Sequence, residues 1–367
     1  MTCRIYFLRL IAWVLMKFFR RDKGQEVSSA ILLSPLFGAG KKYPPILLTF
    51  SSPSKNKDWF DNLNHSIGEL YQAIVSEDEP AKLFPFIKGG KMTQIKASNF
   101  ADTPLITVLL VTHSGDCHLL SRALNSLYNQ NLRLSEIEVL IYFDGTPTSE
   151  EQQLMAPILS DPSLESFYNC QFIEGGTKNG YYCVGRNRIT PLAQGFYIAN
   201  MDADNEFAPN HLSGLLKAIR EPGEDGFPHF TYSRRKYIVD PNVSDPPTPD
   251  GLESPLLPWE TKTIKTMLKA PNNNFIDTGD LLISKAALYR LADETGCIWN
   301  SQCRRFGDWD LVCRLAMTGF RGRAVDQATN LYHWTGKNIQ VTIKDELMAM
   351  DREVYDKLKE DGYIKED

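Results

Sequence analysis

The chain has 367 residues, of which 43% are hydrophobic and 23% charged. That is a soluble globular composition, which excludes disorder, collagen and coiled coil for the chain as a whole. Its 40 Lys+Arg against 45 Asp+Glu give a formal net charge of −5. This excludes a sequence-independent nucleic-acid binder, which needs a basic face to displace counterions.

At about 100–200 residues per domain, the length suggests about two domains. The cysteines (Cys3, Cys117, Cys170, Cys183, Cys297, Cys303, Cys313) are odd in number, scattered and without a CxxC pair. A disulfide framework or zinc ribbon is therefore not expected. A reducing compartment is the simpler reading, and a cytoplasmic location the expectation.

Residues 5–19 are apolar and aromatic, interrupted by Arg9 and Lys17 and followed by Arg20 and Arg21. The run is too short for a spanning helix, which needs about 20 apolar residues. Two readings remain for residues 1–21. One is an in-plane helix making peripheral membrane contact through residues 5–21. The other is a terminal helix packed on the protein's own core, which the usual behaviour of amphipathic helices favours.

Residues 22–100 carry no chemical motif and read as an accessory region. Within it, Ile46–Phe50 fits a strand, residues 58–76 have helical apolar spacing, and Lys88–Lys91 reads as a linker. A main domain over 101–340 follows. Leu105–Val111 is a continuous run of branched apolar residues, as expected of a strand buried on both faces. Leu119–Tyr128 is helical, Ile137–Phe143 a second buried strand, 149–159 a helix and Cys170–Ile173 a short strand. Gly185–Ala193 is helical, and Phe196–Met201 is a strand ending at Asp202-Ala203-Asp204. Strands alternating with helices predict a doubly wound α/β sheet. Eight prolines between 220 and 260 predict an irregular excursion over the sheet edge. Residues 276–292 return to strand and helix, 309–318 form a helix, and a polar helix over 344–361 lies in the C-terminal segment 341–367.

Polar residues at the carboxyl ends of such strands sit where ligands bind. Two carboxylates at one strand exit, Asp202 and Asp204, are suited to a divalent cation held jointly with substrate phosphates. A turn with solvated carboxylates is the plainer alternative.

Five segments occur in the order of a known family. Pro104–Gln130 resembles the opening strand and helix of family 2 glycosyltransferases. Ile137–Gly145 resembles the second strand, with Phe143 in place of the first Asp of the usual pair. Gly185-Arg186-Asn187 and then Ala199–Asp204 resemble the Ala-Arg-Asn helix and the DxD strand. Ile276–Leu288 resembles the segment bordering the acceptor site. Phe306–Leu311 with Arg314-Leu315 resembles the helix that carries the catalytic base, with Gly307 where the family often has Glu.

The resemblance implies a GT-A type fold, a doubly wound mixed sheet flanked by helices. It implies a metal-dependent, inverting transferase that uses Mn²⁺ or Mg²⁺ and a nucleotide-diphosphate sugar, with UDP favoured. Thr112, Asp144, Arg186, Asp202 and Asp204 are then the donor-binding candidates. Asp204 and His333 are candidate metal ligands, and Asp308 is the candidate base. Asp310, Trp309 and Trp334 are candidates on the acceptor or sugar side. The loop Thr112-His113-Ser114-Gly115 stands where the family often has Pro-Thr-Tyr-Asn, which leaves His113 as the one ring able to flank a base.

Structural alternatives stand beside these roles: Asp144 as a turn residue before Gly145, Arg186 as a helix-surface residue, and Asp308 as an acid favoured by a helix N-terminus. A glycan, lipid, protein or small molecule would each serve as acceptor. The rival classes are an inactive nucleotide- or glycan-binding protein of the same fold and a nucleotidyltransferase. The latter would want a basic Gly-rich loop after the first strand of the main domain.

Overall fold

A computed structural model describes residues 29–33, 46–50, 91–96 and 103–335, apart from 177, 179–181, 225, 269–273, 302, 304 and 305. The expected N-terminal helix, the helix over 58–76 and the helix over 344–361 lie outside these residues. The chain divides into units 1–83 and 84–367. In the first, β1 (Ser29–Leu33) pairs antiparallel with β2 (Ile46–Phe50).

The second unit is built on a nine-stranded mixed sheet. Its strands are β3 (Lys91–Lys96), β4 (Ile106–Thr112), β5 (Ile137–Phe143), β6 (Asn169–Glu174), β7 (Tyr197–Asp202), β8 (Glu206–Phe207), β9 (Phe230–Val239), β10 (Leu281–Ser284) and β11 (Gly322–Trp334). The spatial order is β3-β6-β5-β4-β7-β10-β9-β11-β8. β6, β5, β4 and β7 run parallel, whereas β10 is antiparallel to both its neighbours. β3 lies in the segment expected to be accessory, yet it adds an antiparallel edge to β6.

The helices are α1 (Leu120–Tyr128), α2 (Ser149–Leu159), α3 (Tyr182–Ile189), α4 (His211–Ile219), α5 (Thr261–Met267), α6 (Lys285–Thr295) and α7 (Gly307–Met317). Side chains alternate across each strand, so a strand covered on both faces must be apolar at most positions. On β4, Ile106, Val108 and Leu110 join one core, and Leu109 and Val111 the other. The first core packs Leu120, Leu124 and Leu127 of α1 and Leu212, Leu215 and Ile219 of α4. The second packs Ile189 of α3, Leu288 and Leu291 of α6, and Trp309 and Val312 of α7. Full burial of each such side chain stabilises by roughly 1.5–3 kcal/mol.

β9 corrects one expectation. It is a ten-residue strand inside the proline-rich stretch. Pro228 precedes it and Pro241 follows it, and Phe230–Val239 contains none. Proline bounds the strand without removing a ladder donor from it.

At the amino ends of the parallel strands lies a buried polar knot. Glu138 accepts from Thr107 Oγ1 (2.6 Å), Gln194 N–H (2.6 Å) and Asn169 Nδ2 (2.7 Å). Lys285 Nζ donates to the carbonyls of Ala193 and Gln194 beside it, and burial lowers its pKa to about 8. These bonds tie β4, β5, β6 and the α3–β7 connection together.

Candidate active site

The chain passes from β4 to β5 on one side and returns to β7 on the other, so β4 borders a topological switch point. Ligand crevices form there, outside the carboxyl ends of the strands. The main chain brings the expected residues to that end. Asp144 N–H donates to the Thr112 carbonyl (2.9 Å), and Ala203 N–H donates to the Val111 carbonyl (3.1 Å). Thr112 and Asp144 are both buried.

Asp202 is bound by Arg186, whose Nη2 lies 2.7 Å from its Oδ1. The Arg186 guanidinium is fully buried and stands over the rings of Tyr182 (4.6 Å) and Trp299 (5.2 Å). Its Nε and Nη1 have no hydrogen-bond partner among the described residues. The structure therefore places Arg186 behind Asp202, inside the fold and not on a helix surface.

Burial raises the pKa of Asp202, while the Arg186 charge opposes the rise. Burial pushes Asp204 well above the usual carboxylate range, and the charges of Asp202 and Asp116 add to the shift. Mutual repulsion of this kind is what a divalent cation relieves. The Asp204 carboxylate suits Mn²⁺ or Mg²⁺, which take few protein oxygens and complete their shell with phosphate and water.

His333 lies beside the turn that carries Asp204, its N–H donating to Asn205 Oδ1 at 3.0 Å. Its Nε2 is 2.8 Å from Glu206 Oε1, and its Nδ1 is 3.2 Å from Asp240 Oδ1. Both ring nitrogens thus face carboxylates. Arg122 joins this cluster, 3.6 Å from each of the same two acids, and donates to the Asp204 carbonyl. His333 accordingly braces the turn that carries Asp204. Among the described residues, no three His, Cys, Asp or Glu side chains converge as a metal cage. His113, whose ring is half exposed, pairs with Asp116 at 2.8 Å, and that hydrogen bond raises its pKa.

Asp308 begins α7 just after Gly307. Phe306, which precedes the helix, has φ 54° and ψ 25°, a left-handed backbone uncommon outside glycine. Burial, reinforced by the Asp277 charge, raises Asp308 to about 6. Asp310 and Trp309 do not reach the site. Asp310 is buried against Arg314 (2.6 Å) and Asn300 (3.2 Å). Trp309 is fully buried and donates from Nε1 to the Met267 carbonyl. Trp334 is also buried, stacked on Tyr237 at 6.2 Å, while Tyr332 beside it is partly exposed.

Gly307 has a physical reason to differ from Glu. Its N–H donates to Tyr182 Oη at 2.8 Å, and a Cβ there would lie 2.2 Å from Cys183 Sγ. Gly→Ala in a helix ordinarily gains up to about 1 kcal/mol. Here Gly307→Ala should destabilise by about 1–3 kcal/mol through overpacking. The loss should shrink in a Cys183→Ala background. Thermal unfolding of the single and double variants checks this, and strict additivity would show that the sulfur is not the obstacle.

Sequence reasoning missed Asn274, Asp277 and Arg235. Arg235 on β9 faces Asp277 (3.5 Å) and Asp280 (3.3 Å). Asp277 and Asp280 form a reciprocal capping box around the 3₁₀ turn Thr278–Asp280. Acidic residues three apart around Thr-Gly were the available signal. Asp277 lies within electrostatic reach of Asp202, Asp204 and Asp308 alike.

Residues 107–289 match the family model described as "Glycosyl transferase family 2". The chain is 25% identical over 241 residues to the Escherichia coli (strain K12) protein named "Putative colanic acid biosynthesis glycosyl transferase WcaA", covering 66% of this chain and 76% of that one. Among solved structures it is similar to S. aureus TarS 1–349 (15% identity, TM-score 0.46, 62% of this chain and 60% of that chain). It is also similar to the mannosyltransferase PcManGT from Pyrobaculum calidifontis, in complex with GDP-Man and Mn2+ (16% identity, TM-score 0.44, 75% of this chain and 70% of that chain). The chain thus spans about 60% of the length of the TarS structure. The family model begins in the strand that ends at Thr112 and closes in α6, past the exits that carry Asp144, Asp202 and Asp204, and the chain belongs to glycosyl transferase family 2.

Proposed function

We propose that the protein is a glycosyltransferase that moves a sugar from a nucleotide-diphosphate donor, a UDP-sugar by family resemblance, to an acceptor hydroxyl in one inverting displacement. The observation that carries this reading is the joint placement of three groups. Thr112 and Asp144 lie at the adjacent exits of β4 and β5, the Asp202–Asp204 pair lies at the exit of β7, and Asp308 stands at a helix start with a pKa raised to about 6. A carboxylate with that pKa is ionised near neutral pH and is a better base than an ordinary aspartate.

The roles follow from the chemistry. Asp144 accepts from the nucleotide base. Asp202, fixed by Arg186, faces the ribose. Asp204 is the residue that would hold Mn²⁺ or Mg²⁺ against the diphosphate, and the cation supplies charge neutralisation for the leaving group. Asp308 takes the acceptor's hydroxyl proton as the oxygen bonds to the anomeric carbon. The bond from that carbon to the diphosphate oxygen breaks, and the nucleoside diphosphate leaves with the electron pair.

The six described cysteines are free thiols; a cytoplasmic location stays part of the proposal. No described helix is long and apolar enough to cross a membrane. Peripheral contact through residues 5–21 would rest on a segment outside the described residues.

A screen of UDP- and GDP-sugars with Mn²⁺ tests the reading. Turnover of one donor to a nucleoside diphosphate is expected. Donor binding without hydrolysis or transfer would favour the inactive, binding-only alternative.

A further inference from the structure

We infer that Asn274 is a positioning residue for Asp308, holding its carboxylate in the orientation in which it receives the acceptor's proton. The inference rests on Asp308 being the base. Asn274 Nδ2 donates to Asp308 Oδ2 at 2.8 Å and to the Ile276 carbonyl at 2.8 Å. Its Oδ1 accepts from Ile276 N–H at 3.2 Å. The two contacts to Ile276 fix which way the amide points. Turned over, it would set Oδ1 against both the Ile276 carbonyl and the Asp308 carboxylate.

Both Nδ2 hydrogens are thereby committed, one to the backbone that leads into the acidic 3₁₀ turn and one to Asp308. A carboxylate at a helix start can rotate about its own side chain. A neutral donor locked on one oxygen removes that freedom without neutralising the charge. A lysine or arginine in the same place would pair with the carboxylate and depress its basicity. An amide orients it at less cost to proton affinity.

The other groups facing Asp308 are Asp277 before β10, Arg235 on β9, Tyr182 and Cys183 on α3, and Cys313 on α7. None is altered in the test. Removing the Asn274 donor takes away a hydrogen bond that favours the ionised form, so the acid limb of the kcat–pH profile should move upward. Hydrogen bonds to charged groups and the conversion of free energy to pKa place that move at about 1 pH unit for Asn274→Leu.

Asn274→Asp, nearly isosteric and still able to accept from Ile276 N–H, should move the limb further, because it sets a second carboxylate against the first. In both variants kcat near pH 8 should fall about 10-fold, with the donor KM within about 2-fold of wild type, as for a group used in the transition state. A purely structural role would lower activity evenly across pH. Limbs that overlie the wild-type curve in both variants, while Asp308→Asn is inactive, would overturn the inference. An active Asp308→Asn would overturn the assignment of the base itself.

Discussion

Asp308→Asn should lower kcat by about 10²–10⁴-fold, the usual cost of losing a positioned base. The substitution keeps the size of the side chain and part of its hydrogen bonding. It removes only the ability to take a proton near neutral pH. Donor affinity should hardly change, because the proposed nucleotide and cation contacts fall on Asp144, Asp202 and Asp204. A fall in kcat with constant donor KM marks an interaction made mainly in the transition state.

The pH dependence has a definite sign. The proposed base acts as a carboxylate, and burial with the Asp277 charge raises its pKa to about 6. Activity should therefore be full above pH 7 and decline tenfold per unit below about 6. An ordinary aspartate would hold its activity down to about pH 4. NMR of the product should show inversion at the anomeric carbon, giving a β-linkage from an α-linked donor. A retained configuration would mean that single displacement is the wrong mechanism.

Asp204→Ala should abolish turnover, and so should exhaustive removal of divalent cations. The carboxylate lies in a setting that strongly disfavours its own ionisation, from burial first and then from Asp202 and Asp116. Without a cation the donor diphosphate would add further negative charge to that crowd. The loss should exceed about 10³-fold, since several kcal/mol of charge stabilisation leave with the metal. The variant should stay folded, because the strand exit is held from its main chain by Arg122 and by the Val111 carbonyl. Full activity of the wild type after chelation and buffer exchange would refute the metal role. His333→Ala makes an informative companion, because its ring is engaged by Glu206 and Asp240. It should weaken activity through the turn geometry and be insensitive to added metal.

The parallel half of the sheet was legible for a simple reason. A strand buried on both faces must be apolar at most positions, and β4, β5 and β7 are, with Thr107, Glu138 and Asn200 as buried polar exceptions. The strand exits then point to Asp144, Asp202 and Asp204 from sequence order alone. The other half was less legible. β9 sits among prolines that dominate the composition of its neighbourhood, although none falls inside it. β11 mixes exposed and buried positions and carries register shifts against β9, which blur any period-two pattern.

Asp308 could be found as a candidate because its helix resembles the one that carries the base in the family. Asn274 and Arg235 could not. Each acts through a partner distant in the chain, and nothing local to Asn274 announces Asp308. Asp310 and Trp309 show the reverse. They stand next to the base in sequence, but helical geometry turns them inward, to Arg314 and to the Met267 carbonyl.

The buried knot around Glu138 and the open carboxylates around Asp204 lie at opposite ends of the same strands. At one end nearly every polar group meets a complementary partner. At the other, Asp202, Asp204 and Asp277 are held within reach of one another, with Arg186 and Arg235 offsetting only part of their charge. The sheet thus separates two demands that usually compete. Variation at the carboxyl end, such as a new sugar preference or a new acceptor, should cost little folding stability, because that end contributes little of it. The amino end has no such latitude. One strand set can therefore carry many specificities on a single foundation, provided that Thr107, Glu138 and Asn169 are left alone.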